Sequence, residues 1–370
     1  MKQSKDKIAL FAFRNSRKRF FEKIVAECPH ENFNIIVSKK CYALSFKGWD
    51  KLKNAHLQSA YDFAVAEFYA KTNLKIPLFL VQSYFKLFSM LNFLRYYAAL
   101  DHGYNKMLVW NGGKFRQQIA LEVAKIQKIK VYFFENGLLP NTMVFDDKGI
   151  NINNSVPREK SFFKNYHAST ELPTQLVPRV GKDKEIFKGQ KETLPSSYIF
   201  VPFQVDYDTQ IISHSKWVKN MRMLFDVIEK ISQESAYHFV FKEHPSSGIS
   251  YEDLYARIKE MPNLHFRNTY STQELIEKSE AVITINSTVG LESLLFHKKV
   301  IVLGDAFYTI DGIAFSAKNQ QELIEKIEKI KTLSLDHEAV DHFLKYLYHE
   351  YLVQKNNTIH KTICQKIRAK

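Results

Sequence analysis

Residues 281–297, AVITINSTVGLESLLFH, constrain the fold more than any other stretch of the chain. A run of β-formers from Ala281 to Ile285 stops at Asn286-Ser287-Thr288. An apolar-periodic segment follows, with Val289, Leu291, Leu294 and Leu295 on one face. The pattern is strand, polar turn, helix, with Ser287 or Thr288 as the helix cap. Backbone N–H groups at such a start, together with the helix dipole, favour an anion. Glu292 sits about one turn into the helix, within reach of a ligand seated on its start. The arrangement suits a phosphate and a ribose held side by side.

The same alternation runs through both halves of the sequence. In the first half, Lys7–Phe13, Asn34–Ser38, Lys106–Trp110 and Lys130–Phe134 have strand character, and 114–127 has helical periodicity. Strand, helix, strand in that order requires a parallel sheet. Residues 181–197, GKDKEIFKGQKETLPSS, are charged, carry Gly and Pro and lack an apolar period, which predicts a linker. The alternation then restarts with strands Tyr198–Phe203, His238–Lys242, Leu264–Phe266, Ala281–Ile285 and Lys299–Leu303. Helices are expected over 215–233, 250–260, 272–279 and 288–297. The expectation is an α/β protein of two Rossmann-like domains, 1–180 and 198–335, with parallel sheets facing across a cleft. A tail, 336–370, helical over 337–364, is expected to pack across the domain junction.

Hydrophobic residues make up 45% and charged residues 25% of 370, the balance of a globular chain. The net charge of +14 suits anionic substrates or an anionic membrane face. It would also suit nucleic acid, but no zinc-finger or RNA-binding signature accompanies it, so no nucleic-acid partner is expected. Cys28, Cys41 and Cys364 are odd in number and show no metal-ligand spacing, which predicts free thiols in a reducing, cytoplasmic setting. The basic start, MKQSKDKIALFAFRNSRKRFFEK, reads as a first strand with a loop or helix after it and not as a signal peptide. Residues 76–100 are apolar but interrupted by Lys86 and Arg95, too often for a spanning helix. They read as a buried helix; the alternative is an interfacial helix in peripheral contact with an anionic inner membrane.

In open α/β sheets, ligands bind beyond the carboxyl ends of the strands, and the informative polar residues fall there. Lys242-Glu243-His244-Pro245 ends an apolar strand: His244, fixed by Pro245, can donate to a phosphate, and Lys242 can add charge. Gln204-Val205-Asp206-Tyr207-Asp208 ends another. Asp206 and Asp208, two residues apart, would point the same way in extended backbone and could supply a carboxylate nucleophile or base. Turn-forming aspartates are the plainer reading of that pair. His214 is a candidate substrate contact or simply precedes a helix. Glu135 at the mouth of its strand has the position of a general acid or base. Asn111-Gly112-Gly113 allows close approach of a ligand to backbone, and Arg116 in the next helical turn could meet an anion. No cluster completes a metal-ligand set, so no metal is expected.

VPFQVDYDTQI, FKEHP, TINSTVGLES and ENGLLPNTMVFDDKGIN together resemble the capsule polysaccharide biosynthesis family, which includes retaining β-Kdo transferases (Kdo is an eight-carbon acidic sugar). The resemblance runs from about Val109 to Leu303. It implies a GT-B fold with an acceptor-side N-terminal domain and a C-terminal domain binding CMP-Kdo. His244-Pro245 and Ser287-Thr288 match the family's phosphate contacts, and Glu292 its ribose contact. Gln204 and Asp208 match a Gln-Val-x-x-Asp pattern, which makes Asp208 the better nucleophile candidate and Asp206 the less fixed one. Glu135 matches an acidic residue after an N-domain strand.

The activity so implied is retaining transfer of Kdo from CMP-Kdo to a saccharide or glycolipid acceptor, through an Asp-linked adduct and without a cofactor. Alternatives are a GT-B enzyme using CMP-sialic acid or a UDP-sugar, and a non-catalytic polysaccharide-binding export protein.

Overall fold

The computed structural model of the protein describes residues 6–72, 74–168, 171–178 and 185–369. Two compact units emerge: residues 1–137, 141–155 and 351–370 form the first, and 138–140 with 156–350 the second.

The first unit is built on strands β1 (Lys7–Ala12), β2 (Asn32–Val37), β3 (Lys106–Trp110), β4 (Lys130–Asn136), β5 (Thr142–Asp146) and β12 (Leu352–Gln354), in the order β12-β5-β4-β3-β1-β2. Its helices are α1 (Asn15–Glu27), α2 (Phe46–Leu52), α3 (Gln58–Lys71), α4 (Leu78–Leu100), α5 (Phe115–Ile126) and α14 (Ile359–Ala369). β1 through β4 are parallel, and Ile8 to Ala12 of β1 are wholly buried, the continuous apolar run of a strand covered on both faces.

Strand β5 escapes the periodicity argument. It returns antiparallel to β4 after a short turn, with Glu135 opposite Val144. Gly137 permits that turn, since a Cβ there would lie 2.0 Å from the Thr142 hydroxyl oxygen.

The second unit carries β6 (Tyr198–Pro202), β7 (His238–Lys242), β8 (Leu264–Phe266), β9 (Ala281–Thr284), β10 (Lys299–Val302) and β11 (Phe315–Ser316), in the order β11-β10-β9-β6-β7-β8, all parallel. Helices α6 (Lys160–Phe163), α7 (Thr209–His214), α8 (Met221–Ser232), α9 (Glu252–Ile258), α10 (Thr272–Glu277), α11 (Thr288–Leu294), α12 (Gln320–Glu328) and α13 (His337–Tyr346) complete it. Asn220 caps α8, and Ser271 with Glu274 forms a capping box on α10.

Three expectations change. The predicted linker begins outside the described residues at 181–184, and its remainder is strapped to the second unit. Lys191 pairs with Glu274 at 2.5 Å, Arg267 Nε donates to the Thr193 carbonyl, and the Tyr270 hydroxyl donates to the Glu192 carbonyl. The chain instead passes between units near 155, because the Phe163 ring meets Phe343 of α13 at 5.1 Å. Secondly, the tail is not one helix over 337–364. α13 ends in a π turn, Leu347–Tyr351, and β12 then adds to the first sheet antiparallel to β5. Buried Asp146 anchors the return: it accepts bonds from the Ser155 N–H at 2.7 Å and the Tyr351 hydroxyl at 2.8 Å. Thirdly, α14 packs on α1, and Cys364 is disulfide-bonded to Cys28 with 6.0 Å between Cα atoms. Of the three thiols only Cys41 is free, so cysteine spacing 336 residues apart misled the reading. No helix among the described residues is long and apolar enough to cross a membrane. The helix expected within 76–100 is α4, buried in its C-terminal half and exposed at its start.

Candidate functional site

In the second sheet β6 lies between β9 and β7. The segments following their carboxyl ends are therefore neighbours, roughly one strand spacing of about 4.8 Å apart at the sheet edge. Gln204 to Asp208, Lys242 to Pro245 and Asn286 to Thr288 are those segments.

The two aspartates after β6 do not point the same way. Residues 205–208 close a turn, with the Asp208 N–H donating to the Val205 carbonyl at 2.9 Å, so the two-residue period of an extended chain does not apply. Asp206 turns inward and is 6% exposed. Both its oxygens are engaged, Oδ1 by the Met221 N–H at 2.5 Å and Oδ2 by the Tyr251 hydroxyl at 2.8 Å. Burial raises its pKa, against the pull of those two donors. Asp206 thereby ties the β6 loop to the start of α8. Asp208 instead caps α7. Its Oδ1 accepts from the Gln210 N–H at 3.0 Å and the Thr209 hydroxyl at 3.2 Å, and Oδ2 has no partner among the described residues.

Gln204 and Asn286 face each other across the strand ends. Gln204 Nε2 donates to Asn286 Oδ1 at 3.1 Å, and Gln204 Oε1 accepts from the Asn286 N–H at 3.2 Å. Asn286 Nδ2 donates to the carbonyls of Gln210 at 2.8 Å and His214 at 3.2 Å. Both side chains are buried, so this pair fixes the register of the two loops. Gln210, which sequence reasoning passed over, completes the bracket by donating to the Asn286 carbonyl at 3.1 Å. His214 contributes its carbonyl to the bracket; burial lowers the pKa of its ring.

Ser287 caps α11, its hydroxyl oxygen accepting from the Val289 N–H at 3.1 Å. The Gly290 N–H goes to the Ser287 carbonyl at 3.1 Å. The expected row of bare N–H groups is thus partly consumed by the cap, and the Ser287 hydroxyl hydrogen remains available to donate. Tyr308, also missed, donates to the Ser287 carbonyl at 2.6 Å. It sits so close to α11 that a Cβ on Gly290 would lie 2.5 Å from its oxygen. Burial raises the pKa of Tyr308, and the charge of Glu292 raises it further.

After β7, His244 Nδ1 accepts the Ser246 N–H at 3.1 Å. In the neutral ring the proton then sits on Nε2, which becomes the donor. Lys242 is placed differently from the sequence expectation. Its ammonium donates to the carbonyls of Asn268 at 2.6 Å and Tyr270 at 2.7 Å, so it braces the β8–α10 loop. Burial lowers its pKa to about 8.

A second constellation stands at the carboxyl ends of β3 and β4, in the first unit. Asn111 has φ 73°, a left-handed conformation, and its Nδ2 donates to Glu135 Oε2 at 2.6 Å. Glu135 Oε1 accepts from the Asn136 N–H at 2.7 Å and the Trp110 indole at 3.3 Å. The Arg17 guanidinium lies 3.4 Å from the centre of the Trp110 ring. Burial lowers the Arg17 pKa, and Glu135 counters it; Lys355 is perturbed in the same way, with Arg17 adding to the lowering. Glu135 therefore sits within the field of two cations that sequence reasoning did not connect with it, one from α1 and one from after β12. The Arg116 guanidinium lies over the Phe88 ring at 5.5 Å. Among the described residues no group of three or more His, Cys, Asp or Glu could hold a metal ion.

Known proteins resemble this chain in sequence and in fold. The chain is 35% identical over 258 residues to protein FixF of Sinorhizobium fredii (strain NBRC 101917 / NGR234), covering 68% of this chain and 61% of that one. It is 24% identical to the capsule polysaccharide export protein KpsS of Escherichia coli, covering 54% of this chain and 66% of that one. The chain thus spans less than two thirds of either relative. Among solved structures, Thermosulfurimonas dismutans KpsC, a β-Kdo 2,7 transferase, is similar with a TM-score of 0.50 at 14% identity, covering 98% of this chain and 99% of that one. That likeness bears on the fold, which is of the GT-B class. The profile of the capsule polysaccharide biosynthesis proteins matches residues 164–357, just over half of the sequence. The chain belongs to the capsule polysaccharide biosynthesis protein family.

Proposed function

We propose that the protein is a retaining β-Kdo transferase that takes Kdo from CMP-Kdo and delivers it to a saccharide or glycolipid acceptor. The observation that carries this reading is the divergence of the two aspartates. Asp206 is locked on both oxygens, whereas Asp208 keeps one carboxylate oxygen unengaged at the end of the central strand. The GT-B fold it shares with a β-Kdo transferase supports the choice of sugar.

In the first step Asp208 Oδ2 attacks the anomeric carbon, the bond from that carbon to the phosphate oxygen breaks, and CMP leaves with the electron pair. His244 Nε2–H and the Ser287 and Thr288 hydroxyls meet the charge developing on the phosphate, and Glu292 holds the ribose. In the second step an acceptor hydroxyl attacks the same carbon, the bond to Asp208 breaks, and Glu135 takes the hydroxyl proton. Two inversions give net retention. Lys242, Gln204, Asn286 and Asp206 act in this scheme as the frame that positions the loops, and the scheme calls on no metal or cofactor.

A thermal-shift panel of CMP, UMP, UDP and GDP tests the donor. A ligand at about 100 times its Kd adds about 2.7 kcal/mol of stability, so CMP should give the largest shift. A larger shift with UDP would favour a transferase of another nucleotide sugar. The likeness to the capsule polysaccharide export protein KpsS suggests a second reading, a polysaccharide-binding export protein. That reading expects stabilisation by capsule oligosaccharide and none by any nucleotide.

A further inference from the structure

We propose that the first unit docks on an anionic lipid bilayer through the surface made by the loop before α2, by α2 itself and by the N-terminal half of α4. The proposal stands independently of the donor sugar and of the chemistry at Asp208.

The observation is a concentration of exposed apolar side chains. Of the sixteen large hydrophobic residues exposed among the described residues, twelve lie between Tyr42 and Leu87. Phe46 at the start of α2 is 96% exposed and Trp49, one turn on, is 62% exposed. In α4, Leu78, Phe79, Leu80, Tyr84 and Leu87 are all exposed, although the second half of the same helix is buried. A soluble surface scatters such residues singly; gathered like this they mark an interaction face. Gly48 seats α2 against the buried half of α4, because a Cβ there would lie 3.0 Å from the Tyr97 side chain. A groove of about 490 Å³ opens among α2, the start of α3 and α4, lined by buried Leu57, partly buried Tyr61 and Met90, and exposed Trp49, Lys53 and Lys86. Apolar lining beside exposed ammonium groups fits an acyl chain below an anionic headgroup.

Charge decides between a bilayer and a second copy of the chain. From Lys39 to Leu87 there are eight lysines against three acids, a net of +5. One of those acids, Glu67, is held by Lys71 at 2.7 Å and Lys114 at 3.0 Å. Two such faces would repel each other, whereas an anionic lipid surface attracts each of them. The proposed contact is peripheral, through side chains laid on the lipid surface; no helix among the described residues is long and apolar enough to cross a membrane.

The test is flotation of the full chain with lipid vesicles. Binding to vesicles containing about 30 mol% phosphatidylglycerol should exceed binding to pure phosphatidylcholine by more than about tenfold, and should fall as salt rises from about 0.1 to 0.5 M. The double variant Phe46→Glu/Phe79→Glu should lose this binding by more than about tenfold while keeping the wild-type melting temperature, since both side chains already face solvent. Lys51→Glu/Lys86→Glu should bind neutral and anionic vesicles alike. Equal binding of wild type to both vesicle types, or no flotation at all, overturns the proposal. So does a wild-type dimer in lipid-free buffer that Phe46→Glu/Phe79→Glu converts to monomer, because the face would then join two copies.

Discussion

Replacing each of the two aspartates after β6 by asparagine should separate framework from chemistry. In Asp206→Asn the carbonyl oxygen can still accept from the Met221 N–H, and the new amide can donate to the Tyr251 hydroxyl. What is lost is charge assistance on two bonds, where a bond to a charged group contributes about 1.5–3 kcal/mol and a neutral one about 1. Burial already disfavours the charged carboxylate, which returns part of that loss. The expected destabilisation is about 1–2 kcal/mol, a melting temperature lower by about 2–8 °C, with CMP release from CMP-Kdo falling by less than about tenfold. In Asp208→Asn the cap survives, because asparagine and aspartate cap helices equally well. Its melting temperature should stay within about 2 °C of wild type, while turnover falls by about a thousandfold or more, equivalent to about 4 kcal/mol of barrier. The assays are scanning fluorimetry and CMP release on the same preparations. A stable but inactive Asp206→Asn beside an active Asp208→Asn would refute the assignment.

Two further outcomes are expected. Gly290→Ala would force its methyl group against the Tyr308 hydroxyl, and should destabilise the protein by about 1–3 kcal/mol in urea melts. Tyr308→Phe should recover most of that loss in the double variant, less the bond to the Ser287 carbonyl; simple additivity would count against the contact. The pH dependence of stability should carry the signature of His265. Burial, with Arg267 and His238 adding to it, depresses its pKa to about 4 from 6.5. Between those values the unfolded chain takes up a proton that the folded chain refuses, so stability falls as pH drops from about 6.5 to 4. The side chain is partly exposed, which discounts the effect to about 1–2 kcal/mol. His265→Asn should lose that part of the slope, and an unchanged slope would exclude His265 as its source.

The second unit was legible because five of its six parallel strands are short apolar runs with an abrupt polar end, and β6, β7 and β9 lie where those runs predict; β11, only Phe315–Ser316, carries no such run and was not foreseen. Their polar ends also gave the candidate site. The direction of each side chain there was not legible. Asp206 and Asp208 were read by the period of an extended chain, and a turn bonded from Asp208 to Val205 reverses one of them. Lys242 has the composition of a phosphate ligand, but its ammonium is drawn to two carbonyls from a loop 26 and 28 residues away in sequence. Strand β5 and the return of β12 depend on pairings between distant segments, such as Leu352 with Val144, which local pattern cannot express. The pairing of Cys28 with Cys364 and the approach of Arg17 and Lys355 to Glu135 belong to the same class.

The most direct measurement of the central claim is intact-mass and peptide-mapping analysis of Glu135→Gln incubated with CMP-Kdo and acceptor. With the base removed, the second step slows and the first does not, so the covalent intermediate should accumulate. The expected result is one Kdo-mass adduct per chain, mapped to the peptide containing Asp208, and no adduct in Glu135→Gln/Asp208→Asn. Full CMP release with no adduct, or an adduct mapped to any other residue, would contradict it.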